Sequence, residues 1–401
     1  MKGNLLVGQS GGPTPAINAS LAGVVSQAKT MSEIGSIYGL VHGIEGVFTK
    51  SVYNLSNETD ETIRKMIGTP ASILGSCRRK LSEADYYIIL DFFKANDIRY
   101  FVYIGGNDSM DTCNRISKLA KAENYEMRVV GIPKTIDNDL PITDHCPGFG
   151  SAARFVALST LDSGRDLEAM STFDDVAIYE VMGRHAGWLA AAAGLAKKTV
   201  EDAPHLIYLP ERTFDIPRFL ADVKEVHRNL NYVYVIIGEG IHDAKGEFIG
   251  AESVVTDAFG HKAIAMSEGP GNYLAKVINQ ELGLKTRCNR PGTIQRAMVC
   301  CASPTDLEES FRAGQAGVRY MQEGLSDIMV TLDRTDDPEY ACSCGHVALD
   351  QVANVERIVP DEFINASGNF ITEQYYRYCL PLLGGSLPDY ARLQNKQIML
   401  R

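Results

Sequence analysis

The chain has 401 residues, of which 45% are hydrophobic and 22% charged, and this balance is typical of a globular protein with two or three domains. Its formal net charge of -11 argues against nucleic acid as a partner, because nucleic-acid binding depends on clustered lysine and arginine side chains. No basic and apolar leader precedes the first strand, and the most apolar helical stretch, 188–196, is shorter than the roughly 20 apolar residues of a membrane helix, so we expect a cytoplasmic protein outside the membrane.

Strand-like and helix-like segments alternate through the first 150 residues. The first strand, at 5–7, enters a glycine turn at 8–13 (GQSGGP) and is followed by a helix at 16–28. The predicted elements that follow are strands at 36–41, 100–104 and 129–132 and helices at 82–96 and 110–123. This alternation is typical of a parallel sheet that is covered by helices on both faces.

The same alternation restarts after the sequence PGFG at 147–150. The predicted elements are helices at 152–164, 186–196 and 219–229 and strands at 176–182, 206–209 and 232–237. We interpret residues 289–296 as a loop, after which a helix at 306–323 leads to a strand at 328–332. Beyond 336–338 the pattern weakens, so the sequence places the rest of the chain only loosely.

These elements predict an α/β fold with two Rossmann-like parallel-sheet domains, an active-site cleft between them and a C-terminal appendage. We place the first domain at 1–150 and the second at 151–300. Residues 301–401 are predicted to return one helix and one strand to these domains and then to form a tail.

Two polar loops follow apolar strands of the first predicted domain, at 105–109 (GGNDS) and 133–139 (PKTIDND). Open α/β sheets bind ligands at the carboxyl ends of their strands, so these loops are candidates for chemistry. The second loop offers what phosphoryl transfer needs, because Asp137 and Asp139 are carboxylates for a base or a metal and Lys134 carries a positive charge. Taken alone, the loop also fits an aspartate-rich turn that caps the next helix.

Further candidates for binding an anion lie at other strand ends. Gly11 and Gly12 join a strand to a helix, where backbone amides can receive a phosphate. Arg184 begins a helix, where a cation is unfavourable unless an anion lies between them. Glu239 ends another strand and could accept sugar hydroxyl groups. The basic residues that could line a pocket for an anionic substrate are Arg78, Arg79, Lys80, Lys134, Arg184, Arg287, Arg290 and Arg296.

The nine cysteines are an odd number without a secretory context, and we interpret them as reduced thiols. The densest cluster is CSCGH at 342–346. Its alternating spacing differs from the two-residue gap of a zinc knuckle, so buried or edge thiols are favoured over structural zinc.

Seven motifs, taken in order, resemble the phosphofructokinase family. They are QSGG at 9–12, GSCR at 75–78, GGNDS at 105–109, PKTIDND at 133–139, MGR at 182–184, GEG at 238–240 and GTIQR at 292–296. The resemblance covers residues 5 to about 330, and the order of the motifs is more specific than any one of them. It implies two sheet domains of phosphofructokinase type with the active site between them.

Two positions within that resemblance indicate the phosphoryl donor. Members that use ATP carry glycine at both, whereas this chain has Asp108 and Lys134 and so resembles the branch that uses pyrophosphate. Asp108 adds bulk and negative charge where the α-phosphate of a nucleotide would pass, and Lys134 gives the leaving phosphate a point charge. The resemblance therefore implies a glycolytic, Mg²⁺-requiring transferase that moves a phosphoryl group reversibly from pyrophosphate to the C1 hydroxyl of fructose 6-phosphate.

The same resemblance assigns roles to individual residues. Asp137 is implied as the base on the C1 hydroxyl, with Lys134, Asp108 and Arg184 acting beside it. Arg287 matches an arginine that often reaches the sugar 6-phosphate from a neighbouring subunit, which implies a homodimer or homotetramer. The residues implied to bind the substrates are Gly11, Arg78, Thr135, Ile136, Asp139, Met182, Gly183, Glu239, Arg287, Thr293 and Arg296.

Three residues depart from the family pattern. Asn107 stands where the family usually has a magnesium-binding aspartate, so a contact to Mg²⁺ passes through the Asn107 carbonyl, a water or Asp108. Thr293 replaces a histidine, and Asp175 replaces a second arginine for the 6-phosphate. Other residues must then help to build the phosphate pocket, and the candidates are Arg290 and the tail sequence YYRY at 375–378.

Three alternatives stay open at this point. Another ketose phosphate such as sedoheptulose 7-phosphate offers the same C1 hydroxyl to the same donor. An ATP-dependent enzyme keeps the acceptor and changes the donor. A non-catalytic regulatory subunit of the same fold is favoured by Asn107 but opposed by the presence of Asp137, Asp139, Lys134 and Arg184.

Overall fold

The structure of the protein is a computed structural model that describes residues 1–251, 254–256, 262–264, 269–336, 339–353 and 355–393. In chain order, the strands are β1 (Gly3–Gln9), β2 (Ile34–Leu40), β3 (Val52–Asn54), β4 (Ile98–Gly105), β5 (Arg128–Pro133), β6 (Val176–Val181), β7 (Leu206–Tyr208), β8 (Val233–Gly238), β9 (Val254–Thr256), β10 (Lys262–Ile264), β11 (Thr286–Asn289), β12 (Ile328–Thr335) and β13 (Ala341–Ala348).

The helices alternate with these strands over most of the chain. The α-helices are α1 (Ile17–Ala28), α2 (Glu45–Phe48), α3 (Asp60–Ile67), α4 (Glu83–Ala95), α5 (Asn107–Ala122), α6 (Phe149–Ala169), α7 (Trp188–Ala192), α8 (Ile216–Leu230), α9 (Gly269–Leu282), α10 (Pro304–Gln322) and α11 (Glu373–Cys379). Short 3-10 helices lie at Ala193–Ala196, Gly292–Arg296, Val299–Cys301, Leu349–Gln351, Asp361–Phe363 and Pro381–Leu383.

Two parallel sheets organise the protein, as the sequence predicts. The larger sheet has the strand order β13-β12-β5-β4-β1-β2-β3, and its strands are parallel except for the two edge strands, β3 and β13. The smaller sheet has the order β11-β6-β8-β7 and is entirely parallel. The predicted α/β class is therefore confirmed, while the domain boundaries at residues 150 and 300 stay predictions.

The larger sheet is buried on both faces. On β1, Leu5 and Val7 pack in the cluster that includes α1 and α10, whereas Leu6 packs in the cluster that includes α4 and α5. Because successive side chains of a strand point to opposite faces, a strand covered on both faces needs an unbroken apolar run, which β1, β4 and β5 supply.

The end of the chain is integrated into the fold rather than appended to it. β12 and β13 extend the larger sheet beyond β5, and α11 packs against the helices of the smaller sheet, with Tyr375 and Cys379 fully buried there. The elements that the sequence did not predict are α2, α3, α9, α11, β3, β9, β10, β11 and β13. Most of them are short, and short segments carry a weak periodic signal, although α9 has 14 residues.

The loop interpretation of residues 289–296 is wrong in part. Asn289 ends β11, and residues Gly292–Arg296 form a 3-10 helix. Pro291 precedes that helix with a φ of -66°, which proline favours, and the Gln295 amide nitrogen donates to the Gly292 carbonyl at 3.0 Å.

No helix of the described residues has the length and apolar character of a membrane span. All nine cysteines carry free thiols.

Helices α1 and α10 cross at close range because each carries a glycine at the crossing point. A Cβ atom on Gly23 would lie 2.0 Å from the Phe311 carbonyl oxygen, and one on Gly314 would lie 2.1 Å from the Ser20 carbonyl oxygen. Both neighbours are backbone atoms, which cannot move aside without shifting a helix. The approach therefore depends on the absence of side chains at these two positions.

We predict that Gly314→Ala destabilises the protein by about 1–3 kcal/mol, because an overpacked side chain must push the helices apart. Gly317→Ala on the same helix is the matched control, since its Cβ would lie 3.3 Å from a Val130 side-chain carbon. There the gain in helix propensity of about 1 kcal/mol offsets the tighter contact. Thermal unfolding midpoints measure both variants, and an equal loss in both would contradict the explanation.

Candidate active site

The turns that follow β1, β4 and β5 meet at one edge of the larger sheet, because these three neighbouring strands run parallel. They contribute to a cavity of about 520 Å³ together with turns of the smaller sheet. The residues that line it are Gly12, Arg78, Asn107, Asp108, Lys134, Thr135, Ile136, Asp137, Asp139, Met182, Arg184, His185, Glu239, Arg296 and Glu356.

The cavity lies between the two sheets, because strands of both end at it. Met182 and Arg184 follow β6, and Glu239 follows β8. Arg296 ends the 3-10 helix behind β11. The Gly183 backbone nitrogen donates to the Glu239 carboxylate at 3.4 Å, so the turns behind β6 and β8 are joined directly.

Lys134 is the most deeply buried cation of the cavity, with 3% of its surface exposed. Its Nζ donates to the Gly12 carbonyl at 2.8 Å. Burial lowers the pKa of Lys134 to about 8, because removal from water penalises the ammonium. Gly11 adopts a φ of +76°, which favours glycine. A Cβ atom at this residue would lie 3.0 Å from Lys134 Nζ, so the absence of a side chain at Gly11 makes space for the lysine.

The surroundings raise the pKa values of both aspartates of the second loop. Burial raises the pKa of Asp137 to about 7, with further contributions from the charges of Asp139 and Glu239. Burial is also the first cause of the raised pKa of Asp139. The Thr135 hydroxyl accepts a hydrogen bond from the Asp137 backbone nitrogen at 3.1 Å and so fixes the turn. A carboxyl whose pKa lies near neutrality can both accept and release a proton.

Four of the eight predicted basic residues line the cavity, namely Arg78, Lys134, Arg184 and Arg296. Burial, followed by the charge of Arg78, lowers the pKa of Arg296. A Cβ atom on Gly12 would lie 2.4 Å from the Arg296 guanidinium, so this turn also depends on glycine. The clustered positive charges give the cavity a positive potential that favours the binding of an anion.

The other predicted basic residues do not line this cavity, although Arg79 lines a recess that adjoins it, and they have carboxylate partners or a surface position. Arg79 pairs with Glu45 at 3.1 Å, and Arg290 pairs with Glu180 at 2.9 Å. Arg287 pairs with Asp166 at 2.5 Å and Asp174 at 3.2 Å. Lys80 is exposed and does not line the cavity.

Four predicted substrate contacts do not line the cavity of their own chain, namely Gly11, Gly183, Arg287 and Thr293. Thr293 is exposed on the 3-10 helix, while Gln295 of the same helix is buried and accepts a hydrogen bond from the Met182 nitrogen at 3.1 Å. The tail residues 375–378 also lie outside the cavity. Gly11 lines an adjoining recess of about 200 Å³, which shares Gly12, Arg78, Asn107, Asp108, Lys134 and Thr135 with the main cavity.

Asp108 and Lys134 line both the cavity and the recess, beside Asp137. Asp108 lies in the first turn of α5, and Lys134 follows β5 directly. The arrangement on which the donor interpretation depends, a carboxylate and an ammonium facing one space, is therefore present in the structure.

Two cavity residues were not among the candidates, His185 and Glu356, whose side chains approach to 3.8 Å. His185 directly follows Arg184, so the MGR motif was a usable signal for it. Glu356 belongs to residues 355–359, which we call the strap. The Asn107 amide nitrogen donates to the Val355 carbonyl at 2.6 Å and so joins the strap to the start of α5.

The cavity thus combines a cationic wall with carboxylates. Its cations suit a small polyanion, and Asp137 suits the removal of a proton from a hydroxyl group. Asp108, Asp139 and Glu356 offer carboxylate oxygens, which are the ligands that Mg²⁺ prefers. Phosphoryl transfer requires these groups, namely cations that bind the phosphates, a base and ligands for a metal ion.

Comparison with known proteins agrees with this geometry. Among curated relatives, the pyrophosphate–fructose 6-phosphate 1-phosphotransferases of Xanthomonas campestris and Rhodospirillum rubrum are each 41% identical to the chain. The aligned parts cover 98% and 99% of this chain and 96% and 98% of the two relatives.

A solved structure, the pyrophosphate-dependent phosphofructokinase of Nitrosospira multiformis, superposes with a TM-score of 0.87 at 39% identity and covers 99% of this chain and 98% of that one. The sequence profile described as phosphofructokinase matches residues 4–321, a range that contains all but one of the cavity residues. The chain therefore belongs to the phosphofructokinase family.

Proposed function

We propose that this enzyme transfers a phosphoryl group reversibly from pyrophosphate to the C1 hydroxyl of fructose 6-phosphate, giving fructose 1,6-bisphosphate and phosphate. The observation that carries the proposal is the position of Asp108 and Lys134, which line one cavity beside Asp137. The printed names of the relatives support both the donor and the acceptor.

Asp137 acts as the base. Its carboxylate takes the proton of the C1 hydroxyl while that oxygen forms a bond to one phosphorus of pyrophosphate and the bond from this phosphorus to the bridging oxygen breaks. In the reverse direction the protonated carboxyl returns the proton to C1 oxygen. A pKa of about 7 suits this exchange, because both protonation states are populated near neutral pH.

Lys134 and Asp108 select the donor. The Lys134 ammonium balances the charge of the leaving phosphate, and Arg184 meets charge that develops on the transferred group. Asp108 repels a nucleotide at the point where its α-phosphate would pass. Two like charges about 4 Å apart repel by roughly 4 kcal/mol at an effective dielectric constant near 20, which disfavours ATP strongly.

The sugar phosphate binds on the side of the smaller sheet. Met182, Gly183 and Glu239 hold the sugar, and Arg296 holds its 6-phosphate. Arg287 and Thr293 do not line the cavity of their own chain, so we assign them to the 6-phosphate of a neighbouring subunit in a homodimer or homotetramer. Gly11, Arg78, Thr135 and Ile136 complete the contacts to pyrophosphate and the reacting group.

Mg²⁺ fits the donor set of the cavity, because Asp108 and Asp139 provide hard carboxylate oxygens and Asn107 lies beside them. When bound, the ion neutralises pyrophosphate charge and aligns its oxygens. We further propose a cytoplasmic location and a place in glycolysis.

The first prediction tests the donor and acceptor. Purified enzyme with fructose 6-phosphate and Mg²⁺ is expected to turn over with pyrophosphate far faster than with ATP, since Asp108 repels the longer donor. Coupled assays of fructose 1,6-bisphosphate formation measure both rates. Faster turnover with ATP would contradict the donor, and a higher kcat/KM for sedoheptulose 7-phosphate would change the acceptor.

Asp137→Asn serves as the control in that assay, since it removes the base at nearly constant shape. Its kcat is expected to fall on the order of 10²- to 10⁴-fold. Equal, negligible activity of the parent and the variant would favour a regulatory subunit.

The second prediction concerns donor choice. Replacing Asp108 and Lys134 together by glycine is expected to raise the ratio of ATP to pyrophosphate turnover by about 10- to 1,000-fold, because the repulsion is removed, while pyrophosphate turnover collapses. Asp111→Gly lies on the same helix and outside both cavities, so it controls for disturbance of α5. An unchanged ratio would mean that residues other than Asp108 and Lys134 exclude ATP.

The third prediction is the pH dependence of kcat/KM. Asp137 works deprotonated, so activity rises as the pH increases through about 7, and Lys134 works protonated, so activity falls above about 8. Initial rates measured across this pH range should give a bell-shaped profile of kcat/KM against pH. Lys134→Arg keeps its charge at every pH and should move the alkaline limb upward, and an unmoved limb would exclude Lys134 as its cause.

A further inference from the structure

The loop that carries the base holds a backbone conformation that needs support. We define residues 137–146 as the base loop. Within it, Asn138 has a φ of +56° and Ile142 a φ of +61°, both in the left-handed region. Such a φ is a genuine outlier for a β-branched residue such as isoleucine, and it persists only where the surroundings over-determine it. The Ile142 side chain is 54% exposed, so its own packing does not provide that support.

Support comes from Arg357, in the middle of the strap. Its Nη1 donates to the carbonyl oxygens of Thr143 and Asp144, both at 2.5 Å. Its backbone nitrogen donates to the Asp139 carbonyl at 2.7 Å. One residue therefore binds the base loop at its start and near its end, across the strained Ile142.

Tyr378, on α11, closes the same network. Its hydroxyl accepts from Arg357 Nη2 at 3.0 Å and from the Asn138 amide at 2.9 Å, and it donates to the Asp144 carbonyl at 2.8 Å. These three bonds use the whole capacity of a phenol hydroxyl, one donor and two acceptor sites. Hydrogen bonds of Arg357 and Tyr378, which together we call the cluster, therefore hold Asn138 and the residues on either side of Ile142.

Trp188 anchors the cluster to the helices of the smaller sheet. The Arg357 guanidinium lies 4.2 Å from the Trp188 ring centroid, and Trp188 Nε1 donates to the Arg357 carbonyl at 3.3 Å. Trp188 begins α7 and is 1% exposed, so it is a fixed point. Lysine could not replace Arg357 here. A guanidinium is planar, so it can stack on the Trp188 ring while its several N–H groups donate to different acceptors, and an ammonium cannot do both.

We propose that Arg357 is a positioning residue of the phosphoryl-transfer reaction: it holds the base loop against α7 and so sets where the carboxylates of Asp137 and Asp139 lie relative to the substrates. The proposal rests on the function proposed above. Arg357 does not line the cavity, so it acts through the base loop and not through a contact to substrate. The C-terminal segment, remote in sequence from every motif, then becomes part of the catalytic apparatus.

The experiment compares Arg357→Ala and Arg357→Lys with the parent enzyme. Arg115→Ala is the matched control, because Arg115 is also an ion-paired arginine near an aromatic ring, Tyr86, but lies away from both cavities. For Arg357→Ala we expect kcat to fall on the order of 10- to 100-fold, because a misplaced base costs about that factor. KM for each substrate should change by less than about threefold, since the substrate contacts outside the base loop, such as Glu239 and Arg296, stay in place.

Two readouts separate positioning from a loss of folded protein. Amide hydrogen exchange should rise in residues 137–146 and stay unchanged in β4 and β8. Added guanidinium chloride at low concentration should restore part of the lost rate to Arg357→Ala.

If Arg357→Ala does not fold, Tyr378→Phe provides a second test, because this variant removes only the hydroxyl group from the cluster. It should change kcat and the hydrogen exchange of the base loop in the same directions, to a smaller extent. An exchange pattern identical to that of the parent in a folded Arg357 variant would overturn the proposal. Absence of turnover in the parent would overturn the proposed function instead, and the exchange comparison would still test the role of Arg357.

Discussion

The Lys134 ammonium is held away from water at the end of β5, and the cost of that burial shapes the rest of the cavity. An ammonium in this position needs nearby carboxylates, and Asp137 and Asp139 provide them from the same loop. Those carboxylates are themselves half-buried and largely surrounded by protein, so their pKa values rise while that of the lysine falls. The result is a base and a cation that both titrate near neutrality, next to arginines that require an anion.

Parallel strands explain why so much of this site could be predicted. Lys134, Asp137, Arg184 and Glu239 each follow a strand end. Within each of the two sheets such ends share one edge, and both edges border the cavity, so the position of these residues after strands carries spatial information. Glycines at the same turns add to the signal, because Gly11 and Gly12 stand where a side chain would meet Lys134 or Arg296. The elements of the two sheets were predictable for the same reason, since their apolar runs are long and regular.

What the sequence did not reveal depends on tertiary contacts. Glu356 and Arg357 lie in a segment without periodicity, and only the fold brings them to the cavity and the base loop. Arg287 had the right chemistry for a phosphate contact, yet the sequence contained no sign that Asp166 and Asp174 would pair with it. Short edge elements such as β13 were missed because eight residues of mixed polarity do not show which sheet they will join.

The position of β12 has a consequence for how the protein is made. This strand pairs with β5 inside the larger sheet, although every strand of the smaller sheet lies between the two in the chain. A ribosome therefore releases the whole smaller sheet before the larger one can close, and the edge of β5 stays unpaired during that time. Residues 355–359 and α11 emerge later still. Nascent chains consequently carry an open strand edge until synthesis is nearly complete, and such an edge is a template for pairing with another chain.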